Sequence, residues 1–224
     1  MDPFEPLNVD AACARIRDDI LRGRLLPGAK LVAQKLAEQL GTSRTPIKEA
    51  LARLETEALV VRAERWGYSV RTISHRDAEE MFEARLVIEV GNARFAAQRA
   101  SAADIDAMRE AQDVSLRELR AGNLMEFQQH ARRVHECISE AAGNSLLQRM
   151  FQQVNHLVIV FGTSLLRAEP ARATEIASEN DAIVAAVAAH DPERAAALMQ
   201  QHIARGHASF RDTLTRARPP LRLL

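Results

Sequence analysis

The sequence predicts a mainly α-helical protein in two domains: three helices with a β-hairpin over residues 1–73, then an antiparallel bundle of about six helices over 74–224. Three observations carry this expectation. The chain has 224 residues, more than one small core organises. It is 47% hydrophobic but only 4% aromatic, the composition of Ala- and Leu-rich helices packed closely together. Its apolar residues recur at helical spacing between capping signals, and a single strand-turn-strand pattern interrupts them near residues 59–71.

In the first domain Cys13, Ile16 and Ile20 mark a helix closed by Gly23. Leu25-Leu26-Pro27-Gly28 is turn chemistry, and Leu36 and Leu40 then give a second, short helix stopped by Gly41. Ser43 caps a third helix whose first turn tolerates Pro46, because the early backbone N–H groups have no intrahelical partner. Ile47, Leu51 and Leu54 form its buried stripe, which leaves Thr45, Lys48 and Ala52 facing outward and Arg44 at the exposed N-terminal end. Leu59–Arg62 and Tyr68–Arg71 read as strands around a loop, 63–67. Three helices and a hairpin make a winged helix-turn-helix, whose third helix is shaped to enter a DNA major groove.

The stretch Ile20-Leu21-Arg22-Gly23-Arg24-Leu25-Leu26-Pro27-Gly28, then Leu36-Ala37-Glu38, then Gly41-Thr42-Ser43-Arg44-Thr45-Pro46-Ile47-Lys48-Glu49-Ala50-Leu51, resembles the signature of the GntR family of regulators. Ala58 stands where that family usually has glycine. The resemblance implies that Ser43, Arg44, Thr45 and Lys48 contact DNA and that Arg65, Trp66 and Gly67 of the wing reach toward the minor groove. Arg suits guanine O6 and N7 through two hydrogen bonds, so Arg44 is the leading base reader. The alternative for these residues is ordinary solvated surface, or for Trp66 packing on the hairpin.

In the second domain Ser74 with Asp77, and Ser101 with Asp104, are capping-box patterns at helix starts. Asn123 opens a further helix that ends at Gly143-Asn144. Leu146, Met150, Phe151, Val154 and Val158 are the expected stripe of the next; Ile176, Ile183 and Val187 of the one after; Leu198, Met199, Ile203, Phe210 and Leu214 of the last, begun by Asp191-Pro192. Arg85-Leu86-Val87-Ile88-Glu89, His135 with Ala141-Ala142-Gly143-Asn144, and Met199-Gln200-Gln201-His202 resemble the effector-binding domain of the FadR subgroup of that family, the FCD type.

Many members of that subgroup hold a divalent metal with one Asp and three His. At the matching positions this chain keeps His135 and His202 but has Ala131 for the Asp and Asn180 for the middle His. An amide oxygen is a poor exchange for an imidazole nitrogen, so the metal set is incomplete and no cofactor is certain. His130, five residues before His135, points about 140° away on the same helix. His135 and His202 are then either residual metal ligands or pocket histidines that hydrogen-bond a neighbour or an effector. Arg85, Glu89 and Asn92 form a polar stripe down an apolar helix face. They either line a cavity in which Arg85 grips a carboxylate, or form an exposed i,i+4 pair of Arg85 with Glu89. Together with Asn180 these residues are the candidate effector set.

The 30 Lys and Arg balance 30 Asp and Glu, so overall charge gives no hint of nucleic acid. Cys13 and Cys137 lie in helical patterns with no metal or redox spacing and read as buried free thiols. No long uncharged apolar run and no basic-then-apolar leader occur, so a cytoplasmic protein without a membrane segment is expected. The combined reading is a DNA-binding transcriptional regulator, read as a repressor: a homodimer on double-stranded operator DNA, with affinity set by a small carboxylate effector. An effector-blind DNA-binding dimer, or a metal-dependent enzyme in the bundle, are its alternatives.

Overall fold

The structure, a computed structural model, describes residues 7–63, 67–72 and 74–216. It falls into two compact units, Met1–Thr72 and Ile73–Leu224.

The first unit holds α1 (Val9–Leu21), β1 (Lys30–Leu31), α2 (Ala33–Leu40), α3 (Arg44–Thr56), β2 (Val60–Ala63) and β3 (Gly67–Val70). Ile16 and Ile20 of α1 bury against α3, whose Ile47, Leu51 and Leu54 are fully covered. Arg17 locks the two helices by giving Nε and Nη2 to the carboxylate of Glu57 at 2.8 and 2.5 Å. Gly41 ends α2 in the left-handed region at φ 65°, which lets Thr42 N–H return to Ala37 O at 3.0 Å and turns the chain sharply into α3. Ser43 takes the N-cap position of α3 without a side-chain capping bond. After α3 the same kind of turn falls on an alanine: Ala58 has φ 57°, and Leu59 N–H reaches back to Leu54 O at 3.0 Å.

The hairpin lies within one residue of its expected strands, and one further strand joins it. The sheet has the order β1-β3-β2, antiparallel throughout, with Leu31 opposite Tyr68 and Arg62 opposite Tyr68 on the other side. Two residues carry no readable alternation, which is why β1 is not visible in the sequence; Leu31 is nevertheless fully buried.

The second unit is a bundle of α4 (His75–Arg99), α5 (Ala102–Arg120), α6 (Leu124–Ala141), α7 (Ser145–Ala168), α8 (Arg172–Ala188) and α9 (Pro192–Arg216). Both expected capping boxes form: Ser74 accepts from Asp77 N–H and Ser101 from Asp104 N–H, each aspartate accepting in return from the serine N–H. The helix α4 packs against α6, α7, α8 and α9 and is the central element. Its partners cover it on several sides, so the polar stripe Arg85, Glu89 and Asn92 is buried rather than solvated. The surface-pair alternative for Arg85 and Glu89 is thereby corrected: the pair forms, but with side chains 5% and 2% exposed.

Three stripe assignments change. Leu146 and Met150 are 53% and 43% exposed, because periodicity marks the apolar face of α7 but not where along it the neighbours end. Burial on α7 begins at Phe151 and continues through Val158, Ile159, Leu165 and Leu166, with Val154 half-buried. Ile176 and Leu198 are likewise half-buried, and the Leu214 side chain lies outside the described residues. Cys13 and Cys137 are buried and free. Among the described residues no helix is long and apolar enough to cross a membrane.

Candidate DNA-binding face and effector cavity

In the first unit the exposed side of α3 opens onto a groove lined by Gln34, Arg44, Lys48, Ala52, Arg62, Gly67 and Tyr68. Arg44 and Lys48 are exposed and make no ion pair with any described residue. Ser43 and Thr45 are also exposed but stand beside the groove rather than in it. Gly67 starts β3 with φ 98° and lies on the groove wall; Arg65 and Trp66 lie outside the described residues. Sequence reasoning missed Gln34, Arg62 and Tyr68. Arg62 Nη2 donates to Tyr68 Oη at 3.1 Å, with Glu55 3.6 Å away. The strand register that puts Arg62 opposite Tyr68 is the signal that finds this pair.

In the second unit a cavity of about 70 Å³ lies between α4, α6, α7, α8 and α9. Arg85, His135 and His202 line it. Glu89 sits behind them as the organising anion. It accepts Nε of Arg85 at 2.6 Å on one oxygen; on the other it accepts Nδ1–H of His135 at 2.6 Å and Nη1 of Arg132 at 3.4 Å. Burial alone would raise its pKa, but Arg132, Arg85 and His135 outweigh that and hold the carboxyl well below the usual range. Burial, followed by Arg132, pushes the His135 imidazole down to about 3, so the ring is neutral. Burial also pulls Arg132 down to about 10, which still leaves it charged at neutral pH.

Arg132 lies three residues before His135 and was not singled out from sequence. It gives Nε to Asn155 at 2.7 Å, while its Nη2 is buried with no hydrogen-bond partner. Arg85 uses only Nε, and neither of its Nη groups has a partner among the described residues. Two further residues were missed on α8. Arg172 gives both Nη groups to Glu179, and Glu179 accepts Nδ1–H of His202 at 2.8 Å. Their seven-residue spacing, two helical turns on one face, is the signal that predicts the pairing. Burial opposes ionisation of Glu179, but the bonds from His202 and Arg172 hold it down at about 2.

Asn92 stands farther along α4, donating to Ser139 Oγ at 3.0 Å, and is not among the residues that line the cavity. Asn180 also stands behind the lining. Its Oδ1 lies 3.2 Å from His135 Nε2, and its Nδ2 donates to Ala131 O at 3.3 Å. Gln128 closes the α7 side through Nε2 to Ile159 O at 2.7 Å, an approach possible because residue 162 is glycine: a Cβ there would lie 2.2 Å from that nitrogen.

The metal implied by the family resemblance does not fit these residues. A ligating imidazole needs a lone pair aimed at open space. His135 has Nδ1 on Glu89 and its Nε2 blocked by the Asn180 amide oxygen 3.2 Å away; His202 has one nitrogen occupied, by Glu179; Ala131 offers only its carbonyl, and that accepts from Asn180. Among the described residues no three His, Cys, Asp or Glu side chains are grouped to hold a metal ion. Two of the other histidines have local partners: His190 Nδ1 donates to Ala97 O at 2.9 Å, and His207 stacks on Phe82 beside Glu79.

Residues 8–70 match the family described as bacterial regulatory proteins, gntR family, and residues 80–205 match the FCD domain. The chain belongs to the GntR family, with an FCD domain. It is 31% identical over 157 residues to the Uxu operon transcriptional regulator of Escherichia coli K12. It is 24% identical over 145 residues to the HTH-type transcriptional regulator YdhC of Bacillus subtilis 168. These matches cover 62% and 64% of this chain, and the chain spans less than two thirds, 60% and 65%, of those two relatives. In fold it is similar to E. coli McbR/YncC, with a TM-score of 0.82 over 92% of this chain and 98% of that one at 22% identity. The matched family and these named relatives are described as regulators.

Proposed function

We propose that this GntR-family chain regulates transcription as a homodimer on a near-palindromic operator, with α3 of each copy in the major groove, and that a small carboxylate held in the FCD cavity changes its operator affinity. Arg44 reads guanine, while Lys48, Ser43 and Thr45 meet base edges or phosphates, and Gly67 lets the wing backbone approach the adjacent groove. The DNA-binding side is supported by the exposed, unpaired Arg44 and Lys48 on one end of α3.

The effector side rests on one observation above the others: Arg85 is 4% exposed, lines the cavity, and has both Nη groups without partners. A planar fork of N–H donors in that state matches a carboxylate bidentately. An effector that binds one arrangement of the protein more tightly than another shifts operator affinity by that difference.

The test is selection of bound duplexes from random DNA, repeated with a panel of small organic acids. The expected result is enrichment of one inverted repeat, with occupancy that changes on adding an acid. Sequence-independent binding, or binding that no acid alters, would overturn the corresponding half of the proposal.

A further inference from the structure

We infer that the ligand of this cavity is a short monocarboxylate with an apolar body, carrying no more than one hydroxyl and that one beside the carboxylate. The inference rests on the effector reading above and narrows it.

Charge sets the number of carboxylates. Among the described residues the buried charges at the polar end are Arg85 and Arg132 against Glu89; Glu136, which also acts on Arg132, is partly exposed and paired with Arg133. Arg172 is balanced by Glu179. One positive charge is therefore left over, and one carboxylate neutralises it; a buried cation without a counter-charge is costly. The donors agree with this count. Among the described residues both Nη groups of Arg85 and Nη2 of Arg132 lack partners, enough for the two oxygens of one carboxylate.

One acceptor accompanies them. His202 gives Nδ1–H to the ionised Glu179, so its Nε2 carries a lone pair; that nitrogen has no partner among the described residues, on a ring that lines the cavity. Its ring centroid lies 4.9 Å from that of His135. A hydroxyl next to the carboxylate can donate to it.

The rest of the wall differs in kind. Phe82, Phe127, Leu165, Leu166, Ile176 and Phe210 offer nothing to a hydroxyl. The Gln128 amide nitrogen is already given to Ile159 O. Among the described residues, a distal hydroxyl or second carboxylate there would be desolvated with the Gln128 amide as its one polar neighbour. The exception is Arg172, whose Nη groups are both on Glu179 and whose buried Nε has no partner; only a dicarboxylate long enough to reach it would use it. Size sets the final bound. The cavity is small, about 70 Å³, so the body is a short one.

Calorimetry on the full chain in chelator-treated buffer separates the possibilities, using butyrate, 2-hydroxybutyrate, 4-hydroxybutyrate, succinate and butyramide. Butyrate and 2-hydroxybutyrate are expected to bind within a few-fold of each other. Removing a matched contact or burying an unmatched one should make 4-hydroxybutyrate and succinate weaker by about ten-fold or more, and butyramide should give no measurable heat. Succinate binding as well as butyrate would hand its second carboxylate to Arg172 and overturn the inference while leaving the effector reading standing. Equal binding of 4-hydroxybutyrate, or a ten-fold loss with 2-hydroxybutyrate, would do the same. Equal binding of butyramide, or no binding by any of the five, would overturn the inference and the carboxylate reading together.

Discussion

His135 Nε2 lies 3.2 Å from Asn180 Oδ1, so the imidazole nitrogen that would face a metal ion faces an amide instead. The purified protein is therefore expected to carry well under one zinc, nickel or manganese per chain, measured by elemental analysis. Added zinc should leave its melting temperature unchanged. The double substitution Ala131→Asp with Asn180→His supplies the missing carboxylate and imidazole and should gain a metal-dependent rise in melting temperature. One tightly held metal in the parent protein would refute the assignment.

Arg44 and Lys48 should separate by the kind of loss each produces. Arg44→Ala is expected to cost about 1 to 3 kcal/mol of discrimination between the selected operator and its single-base variants, as for one lost bidentate base contact. Lys48→Ala should weaken all duplexes more evenly and reduce the salt dependence of binding by about one counterion. Fluorescence anisotropy over a salt series reads both; unchanged operator preference in the first variant would remove Arg44 from base reading.

Arg85→Ala should weaken carboxylate binding by at least about 2 kcal/mol, because it removes from the polar end a guanidinium whose two Nη groups have no partner among the described residues. Operator affinity without ligand should stay within about two-fold of the parent, since the cavity lies in the other unit. Lysine at the position keeps the charge but loses the planar fork and should recover only part of the affinity. Butyrate titrations by calorimetry measure the effect, and parental affinity in Arg85→Ala would place the carboxylate elsewhere.

Ala58 holds the left-handed conformation, at φ 57°, in the turn that ends α3. A Cβ in this region clashes with the backbone, and glycine avoids that cost. Ala58→Gly is therefore expected to stabilise the protein by about 0.5 to 1 kcal/mol, the strain relieved being partly offset by a more flexible unfolded chain. Thermal and urea unfolding would show it, and a loss of stability would mean that the turn is set by something other than this backbone angle.

Ser101 and Asp104 give a pH-dependent stability with a definite sign. Hydrogen bonds from Ser101, side chain first and backbone second, lower the Asp104 pKa below its ordinary value. A carboxyl depressed in the folded state contributes stability above its unfolded pKa and loses it as the pH falls through the folded value. Ser101→Ala should thus cost about 1 kcal/mol near neutral pH, shrinking in acid as Asp104 protonates in both proteins. Urea midpoints from about pH 2 to about pH 7, which brackets the carboxylate range, test this; a penalty independent of pH would dissociate the cap from the aspartate.

Elements with a local cause were legible from residue spacing. Gly41 stops α2, Ser74 and Ser101 start α4 and α5 through their capping boxes, and the stripe Ile47, Leu51 and Leu54 fixes which side of α3 is left for Arg44 and Lys48. Each depends on residues within a turn or two of one another, so the linear pattern is sufficient. The motifs at His135 and His202, and the loss of Asp and His at Ala131 and Asn180, were legible only through the family resemblance. What lies between helices was settled by the folded chain. Folding buried the Arg85–Glu89 pair, whose burial the sequence leaves undecided, because α4 is covered on several sides by helices that begin dozens of residues later. It brought in Arg132, Arg172 and Glu179, set Asn92 behind the cavity with Ser139, exposed Leu146 and Met150, and added β1 to the sheet. Helical periodicity states which face of a helix is apolar; which partner covers it, how far along, and which polar side chains then meet, depends on chain segments far apart in sequence.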